Sequence, residues 1–358
     1  MKIRYWDEST TGDIQLVSKK RNIKVGYFRD CVVDGISEHY PLPLIKTRSE
    51  LLLPTIERFM SLGRGTIYEE KMEWECKNFS TTKIETTPVF YFVYNCANYF
   101  HWIYDTIPYL YTFLEEKKKI KNLKLLVSTP EGEKDLYPFV YESLSLLGIQ
   151  KEDLVFLDFN TKYDLVLIGS SLTHNRMSLE PPHPELFSII NSMEFTPSKK
   201  ERIYISRRTW TRPKSDNIGT DYTKQRMCVN EDEVVFLFEK YGFKEVFCED
   251  YSMKEKIGLF KSAKFVAGPI GGGMSNIIFC NADTNVLLIN SPEFFKINKR
   301  LEYALEHTNL YHFNQTQFVE RKQEIITGKS ALSISGGMNS PWKVDIKSLQ
   351  QKIISILD

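Results

Sequence analysis

In the stretch NYFHWIYDTIP, residues 98–108, His101 and Asp105 stand four positions apart. A neutral imidazole backed by a carboxylate can act as a general base. Equally, the carboxylate can take the proton while the imidazole orients it or binds substrate. On a helix the two lie one above the other, with Asn98 three residues before His101 on the same side. The same spacing also serves simply to satisfy two polar groups at the edge of a core. Its chemistry therefore depends on what the rest of the chain offers.

Two further stretches offer an anion site. In KFVAGPIGGGMSNIIF, residues 264–279, a short apolar strand runs into Gly271, Gly272 and Gly273, and a helix can start near Met274. Consecutive glycines let a backbone approach a ligand and present its N–H groups. The helix start adds a partial positive charge that suits a phosphate or diphosphate. The spacing is neither GxGxxG nor GxxxxGK[ST], which sets dinucleotide oxidoreductases and P-loop nucleotidases aside. In RIYISRRTWTRPK a strand ends in Arg207, Arg208, Arg212 and Lys214. The planar arginine fork grips phosphate oxygens at two points, and open α/β sheets take ligands beyond the carboxyl ends of their strands. An arginine just past this strand is thus expected to meet the same anion as the glycine turn.

These residues need elements to hold them. PVFYFVYN (88–95) reads as a buried strand, followed by a helix from Asn98 to about Lys119 on which Phe100, Ile103, Ile107, Leu110 and Leu114 recur at helical spacing. Pro108 should kink that helix, since it lacks an N–H and crowds the carbonyl of Tyr104. LKLLVS, DLVFLD and DLVLIGSS read as strands, and LYPFVYESLSLLGI as a helix ending at Gly148. The pattern weakens between Leu172 and Lys200, which places a linker near 190–200. A second alternation follows: strands at RIYIS, KEVFCED, KFVAG and NVLLIN, helices at EDEVVFLFEKYG and SMKEKIGLFKSA. The chain closes on a helix with Ile346, Leu349, Ile353 and Leu357 on one face and Asp345 as its N-cap. Strands alternating with helices predict two mostly parallel α/β domains, 1–195 and 196–340, with a terminal helix over 341–358. A cleft between two such halves is where two substrates usually meet.

Bulk composition narrows the class. The 358 residues are enough for two cores, and Lys+Arg 47 against Asp+Glu 46 leaves a net charge of +1, which speaks against a general nucleic-acid partner. The six cysteines are scattered, with no CxxC and no metal-ligand spacing, as expected of a reducing compartment. MKIRYWDEST has no apolar stretch after its basic residues, and no run reaches the length of a membrane span. A cytoplasmic protein is expected, with peripheral membrane contact compatible with it.

NYFHWIYDTIPYLY resembles the N-x-x-HW-x-x-D-x-(L/I)-P block of the family 61 glycosyltransferases. RIYISRR is similar to that family's I-Y-I-S-R strand, RMCVNEDEV to its R-x-x-x-NE block, and GPIGGGMSNIIF to its glycine block. The four occur in the family's order over about residues 95–290. Pro269-Ile270 stands where many members carry a histidine before the glycines, so no role passes to that position. The resemblance implies a GT-B architecture of two Rossmann-like domains and an inverting, metal-independent transfer from a nucleotide sugar, a UDP-sugar, to a glycan or lipid-linked glycan in cell-surface polysaccharide synthesis. It implies no cofactor. Consistent with it, the chain has no Asp-x-Asp pair. Asp105 and His101 are then the catalytic candidates, in either order of roles, with Asn98 and Trp102 for the acceptor. Arg207, Arg226, Gly271, Gly272, Gly273, Met274, Ser275 and Asn276 are the candidates for the donor, while Asn230 and Glu231 are read as caps of the helix that follows them. An epimerase or hydrolase on the same scaffold, or a binding subunit without catalysis, would carry the same anion site.

Overall fold

The computed structural model describes residues 2–5, 13–18, 23–35, 43–46, 50–53, 83–91, 96–130, 133–158, 161–170, 172, 182–212, 226–292, 301, 309–319 and 340–358. They fall into two compact units, Met1–Ser192 and Met193–Asp358.

Unit 1 is built on a sheet that includes β1 (Lys2–Tyr5), β2 (Asp13–Ser18), β3 (Ile23–Gly35), β4 (Pro43–Lys46), β5 (Glu50–Leu53), β6 (Lys83–Glu85), β7 (Val89–Tyr91), β8 (Lys124–Val127), β9 (Leu154–Phe156) and β10 (Thr161–Gly169). Its path runs β1-β5-β4-β3-β10-β7-β8-β9. The run β10-β7-β8-β9 is parallel, as the alternation of strands and helices predicts. The expectation of a mostly parallel domain is met in that run, whereas the other half is mixed: β3 pairs antiparallel with β10, β2 and β4 pair antiparallel with β3, and β1 pairs parallel with β5. Antiparallel neighbours can be joined by short turns, so the sequential strands β2, β3 and β4 need no crossover helix between them and leave no helical period in the sequence.

Helical turns flank the parallel run. Tyr99–His101 (α1) leads into a wide turn at Trp102–Thr106, a tight turn at Ile107–Tyr109, and then α2 (Leu110–Lys119). The predicted kink at Pro108 takes this form. Pro108 has no N–H to give the carbonyl of Tyr104, and the Ile107 N–H reaches back five residues to Trp102 O instead. The helix α3 (Pro138–Leu146) stops at Gly148, which adopts the left-handed φ of 75° as its N–H bonds Ser145 O. A fourth helix, α4 (Glu185–Ser192), lies where the sequence pattern was read as weakening. Leu186, Ile189 and Ile190 bury one face of it, a spacing hidden by the prolines upstream.

Unit 2 holds a five-stranded sheet of β11 (Arg202–Ile205), β12 (Lys244–Val246), β13 (Phe265–Pro269), β14 (Asn285–Ile289) and β15 (Asn309–Phe313). The order is β12-β11-β13-β14-β15 and every pairing is parallel. Chain order thus reverses between β11 and β13, and beyond the carboxyl ends of those two strands lies the switch point of an open α/β sheet. Helices α5 (Glu231–Lys240) and α6 (Met253–Ser262) connect the strands, the second with a capping box of Ser252 and Glu255. A short pair, β16 (Thr316–Phe318) and β17 (Trp342–Val344), precedes the final helix α7 (Ile346–Leu357), whose N-cap Asp345 accepts from Ser348 N as expected. Leu349 and Ile353 enter the core beside Val234, Phe238 and Trp342. Each such side chain contributes about 1.5–3 kcal/mol of burial. Among the described residues no helix is long and apolar enough to cross a membrane.

Candidate active site

In unit 1 the His101–Asp105 pair forms. Its Nδ1–Oδ2 separation is 2.6 Å, with Asp105 buried and His101 partly exposed. The wide turn that begins at Trp102 sets this geometry, and single wide turns of this kind often mark functional sites. Asn98 sits at the N-cap, where its side-chain oxygen accepts from His101 N at 3.3 Å and fixes the start of the helix. Trp102 does not fit the expected acceptor role. Its indole is fully buried, with Nε1 donating to Ser143 Oγ at 3.0 Å, because the turn directs it into the core against Phe139. The aromatic flank that stays partly exposed is Phe100, stacked on Tyr104 at 4.9 Å and edge-on to His101.

In unit 2 the switch point joins the arginine strand to the glycine turn. Arg207 stands two residues beyond the end of β11, and its Nη1 donates to Ile270 O at 2.9 Å. Desolvation lowers the pKa of its guanidinium, opposed by the negative charge of Glu231. Gly271 is where the two elements touch. A Cβ there would stand 2.9 Å from Arg207 Nε and 3.0 Å from its Cδ. Its φ of 171° is ordinary extended backbone, so this glycine is needed for space and not for conformation. Gly273 is equally confined, its absent Cβ falling 2.8 Å from Ile205 Cγ2.

The helix after the glycines starts at Gly272, earlier than expected, and is of the tight three-residue type through Phe279. Met274 N bonds Gly271 O, while the N–H groups of Gly272 and Gly273 have no acceptor within the helix. The side chains of Met274, Ser275 and Asn276 turn inward. Ser275 Oγ donates to Gly272 O at 2.5 Å and Asn276 Nδ2 to Gly273 O at 2.9 Å. These three shape the turn, and what the turn presents outward is backbone.

The other cations of the arginine strand differ from Arg207. Arg208 is gripped bidentately by Glu245 at 2.7–3.0 Å and also pairs with Asp232. Arg212 pairs with Asp250 at 2.8 Å and lies over the Phe247 ring. Lys214 falls outside the described residues. Arg226 is partly buried, takes a left-handed φ of 57° and offers its carbonyl to Trp342 Nε1 at 2.8 Å. A non-glycine residue in that region costs about 1–2 kcal/mol, so the neighbouring packing imposes it.

Sequence reasoning missed Glu231, read there as a helix cap. Its carboxylate, in a residue only 1% exposed, accepts from Arg207 N at 2.8 Å and from Tyr204 OH at 3.1 Å. Burial raises its pKa to about 7, against the lowering by the Arg207 N–H, the Arg207 charge and the Tyr204 hydroxyl. Asn230 holds the N-cap position without capping. Its amide instead exchanges two 3.0 Å bonds with the Val344 backbone. The one available signal was the R-x-x-x-NE block itself, whose acid follows its asparagine directly.

A parallel sheet with an arginine and a glycine turn at its switch point is the arrangement in which open α/β folds take their ligands. A family model described as Glycosyltransferase 61 matches residues 99–287, more than half the chain and inclusive of His101, Asp105, Arg207, Glu231 and the glycine turn. The protein belongs to glycosyltransferase family 61, and its chemistry is sugar transfer, in general from a nucleotide sugar to a glycan. No curated protein matches the chain.

Proposed function

We propose that this protein is an inverting GT-B glycosyltransferase that works without a metal ion, moving a sugar from a UDP-sugar to a hydroxyl of a cell-surface glycan. The observation that carries the reading is the bond from Arg207 to Ile270 O beside Gly271, which puts a cation and two N–H groups at one switch point. In this reading unit 2 binds the donor through Arg207 and the backbone of Gly271–Gly273, and unit 1 supplies the base. The acceptor hydroxyl attacks the anomeric carbon as the bond to the diphosphate oxygen breaks, which inverts that carbon and releases a nucleoside diphosphate. Charge then builds on the departing diphosphate, where Arg207 and the glycine N–H groups neutralise it. The hydroxyl proton passes to Asp105, which His101 orients through the 2.6 Å bond.

The test is thermal stabilisation by UDP, GDP, CMP and NAD, each with EDTA. At about 100 times its dissociation constant the correct nucleotide adds about 2.7 kcal/mol, and Arg207→Ala abolishes the gain. Stabilisation that EDTA removes would sink the metal-free part of the reading. No stabilisation by any nucleotide would sink the transferase site as drawn.

A further inference from the structure

Resting on that reading of the donor site, we infer that Glu231 is a positioning residue that fixes Arg207 at the switch point and takes up a proton when a diphosphate binds there. The geometry is specific. One carboxylate oxygen receives both the Arg207 N–H and the Tyr204 hydroxyl, so it sets where the chain leaves β11 and in which direction the arginine emerges. The other oxygen is buried with no hydrogen-bond partner among the described residues. An ionised carboxylate left half-satisfied in that way is unfavourable, whereas a protonated one is not.

The groups facing Glu231 come from three directions. Tyr204 projects from β11, Arg207 and Arg208 lie on the turn after it, and Cys228 lies on the segment before α5. Only the two arginines favour its ionised form by charge, and Arg208 already pairs with Glu245 and Asp232. A diphosphate over Arg207 adds negative charge to the same neighbourhood and occupies the cation that had offset Glu231. Both effects drive the carboxylate towards its neutral state. A neutral Glu231 still accepts the Arg207 N–H, so the arginine stays in place while the repulsion between carboxylate and ligand disappears.

The proton linkage has a definite sign. Below about pH 7 Glu231 is already protonated in the free protein, and affinity for a diphosphate diester is flat. Above that pH binding must bring a proton with it, and affinity falls by up to about tenfold per pH unit. The probe is UDP-glucose, whose diphosphate has no ionisation of its own near pH 7. Titration calorimetry at pH 8, in two buffers of different ionisation enthalpy, should show uptake approaching one proton. Glu231→Gln keeps an acceptor for Arg207 N and Tyr204 OH, so it should bind with the wild-type affinity of pH 6 at every pH and take up no proton. Glu231→Ala should lose affinity throughout the range. Wild-type binding without proton uptake, a measurement that needs no variant, overturns the inference. So does uptake that persists in Glu231→Gln. Failure of the wild type to bind any sugar nucleotide would instead strike the donor site itself.

Discussion

At Asp105 a buried carboxylate meets an imidazole at 2.6 Å, and replacing it with asparagine keeps the shape while removing the charge. Asp105→Asn should therefore lower turnover by about 10²–10⁴-fold while nucleotide stabilisation persists, measured by initial rates and thermal shift on one preparation. Full turnover in that variant would transfer the base role to His101. The arginines after β11 give a second prediction. Arg208→Ala should cost about 1–3 kcal/mol of stability, because it strands the part-buried Glu245, yet leave nucleotide binding in place, the reverse of Arg207→Ala. Both are arginines one position apart, so residue type could not separate them. What separates them are partners 24 and 37 residues downstream, visible only once the chain has folded. The His–Asp pair was legible because both members sit within one helical turn.

Among the elements, two glycines illustrate different constraints. Gly271→Ala introduces no backbone strain, but its methyl enters the space of the Arg207 guanidinium. It should weaken nucleotide binding while shifting the unfolding midpoint little. Gly148→Ala meets no atom within 4 Å but forces an L-residue to a φ of 75°, so it should cost about 1–2 kcal/mol of stability and leave binding untouched. Midpoints and affinities for the two variants, measured side by side, check the contrast. The break around Pro108 was legible because a missing N–H is written in the residue. The wide turn that precedes it was not, since it depends on the Ile107 N–H finding Trp102 O. Glu231 eluded the sequence for a related reason. An acid at a helix start is ordinarily accounted for by the helix dipole, and nothing local reveals that this one turns inward towards β11.

For the molecule as a whole, Glu231 links stability to pH. Its pKa is raised on folding from 4.5 to about 7, so its contribution is fully present below pH 4.5 and is lost as pH rises through 7. The loss is at most about 3 kcal/mol, by 1.36 kcal/mol per unit. Denaturant titrations of wild type and Glu231→Gln between pH 4.5 and 8 should diverge by that amount, and parallel curves would refute the assignment. At this scale the second half of the chain was the more readable, because every strand of a parallel sheet needs a crossover and the helices supplying it carry a clear period. β15 to β17 escaped notice, being short and partly polar. Yet β17 is where the segment before α5 is secured: Trp342 N bonds Met227 O, Val229 N bonds Trp342 O, and Asn230 clasps Val344 from 114 positions away. During synthesis, then, the ribosome completes the whole family-matched stretch before the strand that anchors Glu231 exists. The segment leading into α5 is finished only after residue 344 has left the exit tunnel, and a polypeptide released earlier departs with His101 and Asp105 in hand and Glu231 without its anchor.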